Sequence, residues 1–137
     1  MARVLAIDYG TKRVGLAVTD SMQIIASPLN TVPAKDLAQY LEKYINTEEV
    51  ETIVIGMPKR LNNTDTHITQ QVREFTIHMT RKFPAIKIVN VDERFTSKMA
   101  FETMIAGGLS KKKRREKELI DKVSATIILQ SYLAQQI

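Results

Sequence analysis

The sequence predicts an α/β domain on a mixed five-stranded sheet, three antiparallel strands plus two parallel ones, with helices on both faces. Three observations predict it. The first three apolar runs are joined by connections too short for anything but antiparallel neighbours. The later apolar runs are separated by stretches of helical periodicity, and strands separated in that way pair in parallel through crossovers. The chain has 137 residues, enough for one proper core, and is read as a single domain over 1–137.

The elements follow in order. Residues 3–9 and 13–19 read as two strands around the break Tyr9-Gly10-Thr11. After the polar turn Thr19-Asp20-Ser21, Gln23 to Leu29 reads as a third. Pro33 suits the first turn of a helix, and Leu37, Tyr40, Leu41, Tyr44 and Ile45 then form one apolar stripe. Glu51 to Met57 is a buried strand closed by Gly56 and Pro58, and Lys59 to Asp65 is a loop. Thr64 or Asp65 can cap the next helix, whose stripe is Ile68, Val72, Phe75, Met79 and Phe83, with Pro84 at its end. Ala85 to Val91 is another strand and finishes on Asp92-Glu93-Arg94. Thr96 or Ser97 can cap a helix carrying Met99, Met104 and Ile105 in its core face, stopped by Gly107-Gly108. A last helix covers roughly Glu116 to Gln135.

Composition narrows the function classes. An apolar share of 44% with 26% charged residues is that of an ordinary soluble globular protein. No stretch approaches the roughly 20 apolar residues of a membrane helix, and the start of the chain reads into a strand rather than a signal peptide. With no cysteine, neither a disulfide framework nor a thiolate metal site is available, and the cytoplasm is the expected compartment. The formal charge of +5 and a pI near 9.5 suggest a polyanionic partner. The excess is concentrated in Lys111, Lys112, Lys113, Arg114, Arg115 and Lys117, a run suited to binding a nucleic-acid backbone by counterion release. His67 and His78 fall on a polar helical face and are assigned no chemistry.

Three acids are candidates for chemistry. Asp8 ends the first strand, where a carboxylate is costly without a cation or donors. It holds a metal or phosphate-bearing ligand, or else the strand ends in solvent with Asp8 and Gly10 as turn residues. Glu93 stands at the carboxyl end of a later strand, the pole where open α/β sheets build their sites. Asp121 shares a helical face with Ser124, Ala125 and Ile128, small residues that would let the helix approach the sheet; the alternative is an acid favourable to the helix dipole. Three carboxylates converging on one pole suit Mg²⁺ or Mn²⁺. Two such ions about 4 Å apart can activate a water and stabilise the leaving oxygen in phosphodiester hydrolysis.

The runs IDYGTKRVGLAV at 7–18, VIGMPKRLNNTD at 54–65, VDERFTS at 91–97 and IDKVSATIILQSYL at 120–133 resemble the motifs of the YqgF family, also called RuvX, within the RNase H-like superfamily. The resemblance covers essentially the whole chain, and its motifs come in the family's order. Asn62-Asn63-Thr64-Asp65 departs from it, since many relatives carry a glycine-containing turn there. The resemblance implies an RNase H-like fold similar to that of RuvC-type Holliday junction resolvases. It also implies a nuclease trimming the 5′ end of pre-16S ribosomal RNA in the bacterial cytoplasm, with structured RNA or a ribosomal precursor particle as partner. It puts the catalytic, metal-binding acids at Asp8, Glu93 and Asp121. Adjacent strand residues point to opposite faces, so Asp92 is the fallback for Glu93. Thr11, Lys12 and Arg13 beside Asp8 are candidates for touching phosphate, the alternative being a hairpin with solvated charges. Arg94 can bind phosphate or pair with Asp92 or Glu93.

Three other functions fit parts of the sequence. A Holliday junction resolvase would cut four-way DNA as a dimer, against a nuclease acting as monomer or homodimer. A non-catalytic RNA-binding ribosome-assembly factor would keep the fold without turnover. An actin-like or sugar-kinase-like ATPase has a similar phosphate loop, but it binds nucleotide between two domains where this chain provides one.

Overall fold

The computed structural model describes residues 2–57, 67–92 and 117–136. Five strands form one sheet: β1 (Arg3–Tyr9), β2 (Arg13–Thr19), β3 (Ala26–Pro33), β4 (Val50–Met57) and β5 (Lys87–Asp92). A 3₁₀ turn over Ala34–Asp36 leads into α1 (Leu37–Thr47); α2 (His67–Lys82) joins β4 to β5 in sequence, and α3 (Lys117–Gln135) follows. The strand order is β3-β2-β1-β4-β5. β2 is antiparallel to both β1 and β3, while β4 is parallel to β1 and β5 to β4. This is the mixed sheet that the sequence predicts.

The alternation along each strand divides two cores. Leu5 and Ile7 on β1, Val14 and Leu16 on β2, and Ile53 and Ile55 on β4 pack with Leu37 and Leu41 of α1 and Val72 and Met79 of α2. Tyr40, Tyr44, Ile45, Ile68, Phe75 and Phe83 rest against this core as their spacing predicts. On the other face, Val4 and Ala6, Ala17, Val54 and Val91 meet Ala125, Ile128, Leu129 and Tyr132 of α3. The first face presents Leu and Ile to two helices. The second is built of smaller residues, so α3 lies close to the sheet.

Several expected boundaries move. The third strand begins at Ala26 rather than Gln23 and runs on to Pro33, because the turn before it is longer than its polar residues suggest. The Asp20 carboxylate accepts the amides of Met22 (3.3 Å), Ile24 (2.8 Å) and Ile25 (2.8 Å), and Gln23 adopts φ 59°. Gln23 is held there by its side-chain amide, which donates to the Ala2 carbonyl at 2.9 Å and to Glu51. Pro33 is therefore the last residue of an edge strand, where a missing N–H is tolerated, and the α-helix starts at Leu37. The last strand likewise starts at Lys87, after a turn in which the Ile86 amide donates to the Phe83 carbonyl. The loop at 59–65 with its capping residues, and the expected helix carrying Met99, Met104 and Ile105, lie outside the described residues. Among those residues no helix is long and apolar enough to cross a membrane.

The Ile25 amide, foremost, holds the Asp20 carboxyl below its ordinary value of 3.8, helped by Ile24 and Met22 against some desolvation. A depressed carboxyl stabilises the fold above 3.8 and loses that contribution as pH falls through its lowered folded-state value. Amide exchange at Met22, Ile24 and Ile25 should therefore quicken selectively under acid conditions below that value. In Asp20→Ala the same amides should exchange fast at neutral pH.

Candidate active site

The carboxyl ends of the parallel strands β1, β4 and β5 share one pole. Asp8 lies there on β1, between Ile7 of the α1/α2 core and Tyr9, whose ring stands 5.1 Å from that of Phe75 on α2. Strand alternation puts Asp8 with Val4 and Ala6 on the opposite face, the one that α3 covers. Its direct partner across the β1–β2 ladder is Gly15. A Cβ on Gly15 would come within 3.1 Å of the Asp121 Cα and overlap the Asp121 carbonyl group. The backbone of α3 is thus seated on β2 at the position beside Asp8, and Asp121 is brought to the rim that Asp8 occupies.

Arg13 shares this face of β2, two residues before Gly15. Its Nε donates to the Asp121 Oδ2 at 2.9 Å. One helical turn further on, Ser124 is 1% exposed and its Oγ has no hydrogen-bond partner among the described residues. Ala125 and Ile128 are buried as well, so the small face expected around Asp121 does turn toward the sheet.

The hairpin tip between β1 and β2 is tight. A Cβ on Gly10 would overlap the Arg13 carbonyl oxygen, so the glycine serves the turn itself. Thr11 and Lys12 are exposed at this tip, and the Lys12 carbonyl accepts the Ala34 amide at 2.9 Å. That bond fastens the tip to the end of β3.

Asp92 ends β5 in register with Met57. Glu93, Arg94 and the run Lys111, Lys112, Lys113, Arg114 and Arg115 lie outside the described residues. Among the described residues no group of three or more His, Cys, Asp or Glu is gathered for a metal; besides the backbone of Asp92, what they bring to this pole is Asp8 and Asp121. Those two fit a hard divalent cation by two criteria. Both are carboxylates, the oxygen donors that Mg²⁺ and Mn²⁺ take. Beside Asp121 lies a buried hydroxyl, that of Ser124, with no hydrogen-bond partner among the described residues.

Two residues of this arrangement are not among the sequence's metal-ligand candidates. Gly15 carries a detectable signal, since a glycine inside a strand marks a close backbone approach. Arg13 is a phosphate candidate by sequence, and its bond to Asp121, 108 positions away, carries no local signal.

This sheet order, with acids at the carboxyl ends of its strands and a helix pressed on one face, is an RNase H-like fold. Thermus thermophilus RuvC, solved in complex with a Holliday junction substrate, is similar to it with a TM-score of 0.55 at 17% identity, over 99% of this chain and 96% of that one. The chain belongs to the RuvX family: the family model, described as Holliday junction resolvase, matches residues 2–135. Relatives named "Putative pre-16S rRNA nuclease" include a Christiangramia forsetii protein, 53% identical over 97% of this chain and 98% of its own length. A Flavobacterium johnsoniae protein of the same name is 52% identical over 99% of both.

Gly15→Ala should disturb the site without touching a carboxylate. The new methyl has to push α3 off the sheet, at a cost of about 1–3 kcal/mol, the usual range for overpacking. Chemical denaturation reads that loss. A Gly15→Ala protein as stable as wild type would show that α3 is not seated as described.

Proposed function

We propose that this chain is a divalent-metal-dependent phosphodiester hydrolase that processes the 5′ end of pre-16S rRNA in the cytoplasm, as free precursor or within a ribosomal precursor particle. The observation that carries the reading is the seating of Asp121 on Gly15, the ladder partner of Asp8, at the carboxyl pole of a mixed sheet. Relatives of this length and similarity that are named for pre-16S rRNA support RNA as the substrate.

In this reading Asp8 and Asp121 hold Mg²⁺ or Mn²⁺, with Glu93 as the third carboxylate. The resemblance puts this ligand at Glu93, with Asp92 as its fallback. A bound divalent ion supplies Lewis-acid stabilisation of the phosphodiester and a water of lowered pKa. The protein's own part is to fix the oxygens before substrate arrives: Asp8 by the β1–β2 ladder, Asp121 by the Gly15 contact and by Arg13. Thr11 and Lys12 offer donors and a positive charge to a neighbouring phosphate at the exposed hairpin tip. Arg94 adds a guanidinium suited to phosphate. Lys111 to Arg115, directly before α3 in sequence, grip the RNA backbone without reading its bases.

Asp8→Asn should cut cleavage of precursor 16S rRNA by at least about 100-fold, since losing even a partner of a metal ligand costs roughly 10–100-fold, while RNA binding persists. Gel assays of wild type and variant with Mg²⁺ or Mn²⁺, on this RNA and on four-way DNA, measure it. Symmetric nicks in DNA with no RNA cleavage would identify a resolvase instead. RNA binding without cleavage by wild type would identify a non-catalytic assembly factor.

A further inference from the structure

The bond between Arg13 and Asp121 sits at the rim of the sheet, with the two side chains 35% and 22% exposed. The geometry that makes it is local to β2. Arg13, Gly15 and Ala17 alternate onto one face. Gly15 brings the α3 backbone down onto the strand, and this delivers the Asp121 carboxylate within reach of a side chain two residues away. The guanidinium supplies a planar, delocalised positive charge. Its Nε engages one carboxylate oxygen, Oδ2, and so fixes the direction in which the group points. A fixed cation beside a carboxylate also opposes the approach of a second cation.

We propose that Arg13 is a positioning residue that serves as the standing counter-cation of Asp121, orienting the carboxylate while holding down its affinity for a divalent ion. The inference rests on the metal-dependent reading above and deepens it. Mg²⁺ held by few carboxylates completes its shell with water and substrate phosphate. A site whose protein affinity is held down therefore loads fully only when an RNA phosphate is present. Arg13 couples metal loading to substrate in this way, and it does so through Asp121 rather than by touching the phosphate itself.

Titration calorimetry with Mn²⁺ alone, on the full-length chain, tests this for wild type, Arg13→Gln and Arg13→Lys, with circular dichroism to check folding. Arg13→Gln should bind Mn²⁺ roughly three- to tenfold more tightly, a range discounted for the pair's exposure to solvent. Arg13→Lys, which keeps the charge, should stay near wild type. Added RNA should then tighten Mn²⁺ binding less in Arg13→Gln than in wild type. Arg13→Met, which keeps the aliphatic stem, reads the same sign if the glutamine protein does not fold. An anchor of purely structural value would give weaker or unchanged Mn²⁺ binding in Arg13→Gln, and that result overturns the inference alone. So would Arg13→Lys behaving like Arg13→Gln. A wild-type protein that binds no Mn²⁺ even with RNA present would overturn the metal reading itself, and this inference with it.

Discussion

The contact on which the pole of this molecule depends is one of backbone on backbone. At Gly15 the strand offers no side chain, and the carbonyl and Cα of Asp121 fill the space that a methyl would need. Everything assembled at this rim follows from that seating. It sets the depth of α3 over the sheet. It brings Asp121 beside the ladder partner of Asp8. It also leaves Arg13 close enough to hold the carboxylate. Close packing transmits such constraints, because an interior at crystal-like density has no slack in which to absorb an extra group.

The two faces of the sheet divide the work. The α1/α2 face buries Leu5, Ile7, Leu16, Ile53 and Ile55 under two helices and supplies most of the bulky apolar burial that stabilises the fold. The α3 face, with Ala6 and Ala17 clustered with Ala125 and Gly15 beneath Asp121, contributes less bulk and more closeness. Polar groups gather on this second side, at the carboxyl pole: Asp8, Arg13, Asp121 and the Ser124 hydroxyl, unpartnered among the described residues. Crowding two carboxylates there is electrostatically unfavourable, and the guanidinium of Arg13 relieves part of it.

Membership of the RuvX family and the RNase H-like sheet agree with one another. The likeness to RuvC at 17% identity concerns the arrangement of strands and helices. The relatives above 50% identity span nearly the whole chain, so α3 and the strands it covers fall within the shared length.

Much of the fold was legible along the chain because it is written in local periodicity. Apolar runs marked β1, β2, β4 and β5, and helical stripes marked α1, α2 and α3. Short connections against crossovers decided which strands run antiparallel. The start of β3 was not legible, since the Asp20 turn is built from three backbone amides that no residue pattern announces. The candidate acids Asp8 and Asp121 could be named from the sequence by their places at a strand end and on a small-residue helical face. Their convergence on one pole is expected from the sequence, but the contact that brings them together is not legible there, because it runs through β2, which lies between them in space but carries neither. The sequence by itself determined which residues could do chemistry and which elements would carry them. Only the tertiary structure decided that Gly15 seats Asp121 and that Arg13 holds it, because a contact across 108 positions exists only once the sheet and α3 have packed.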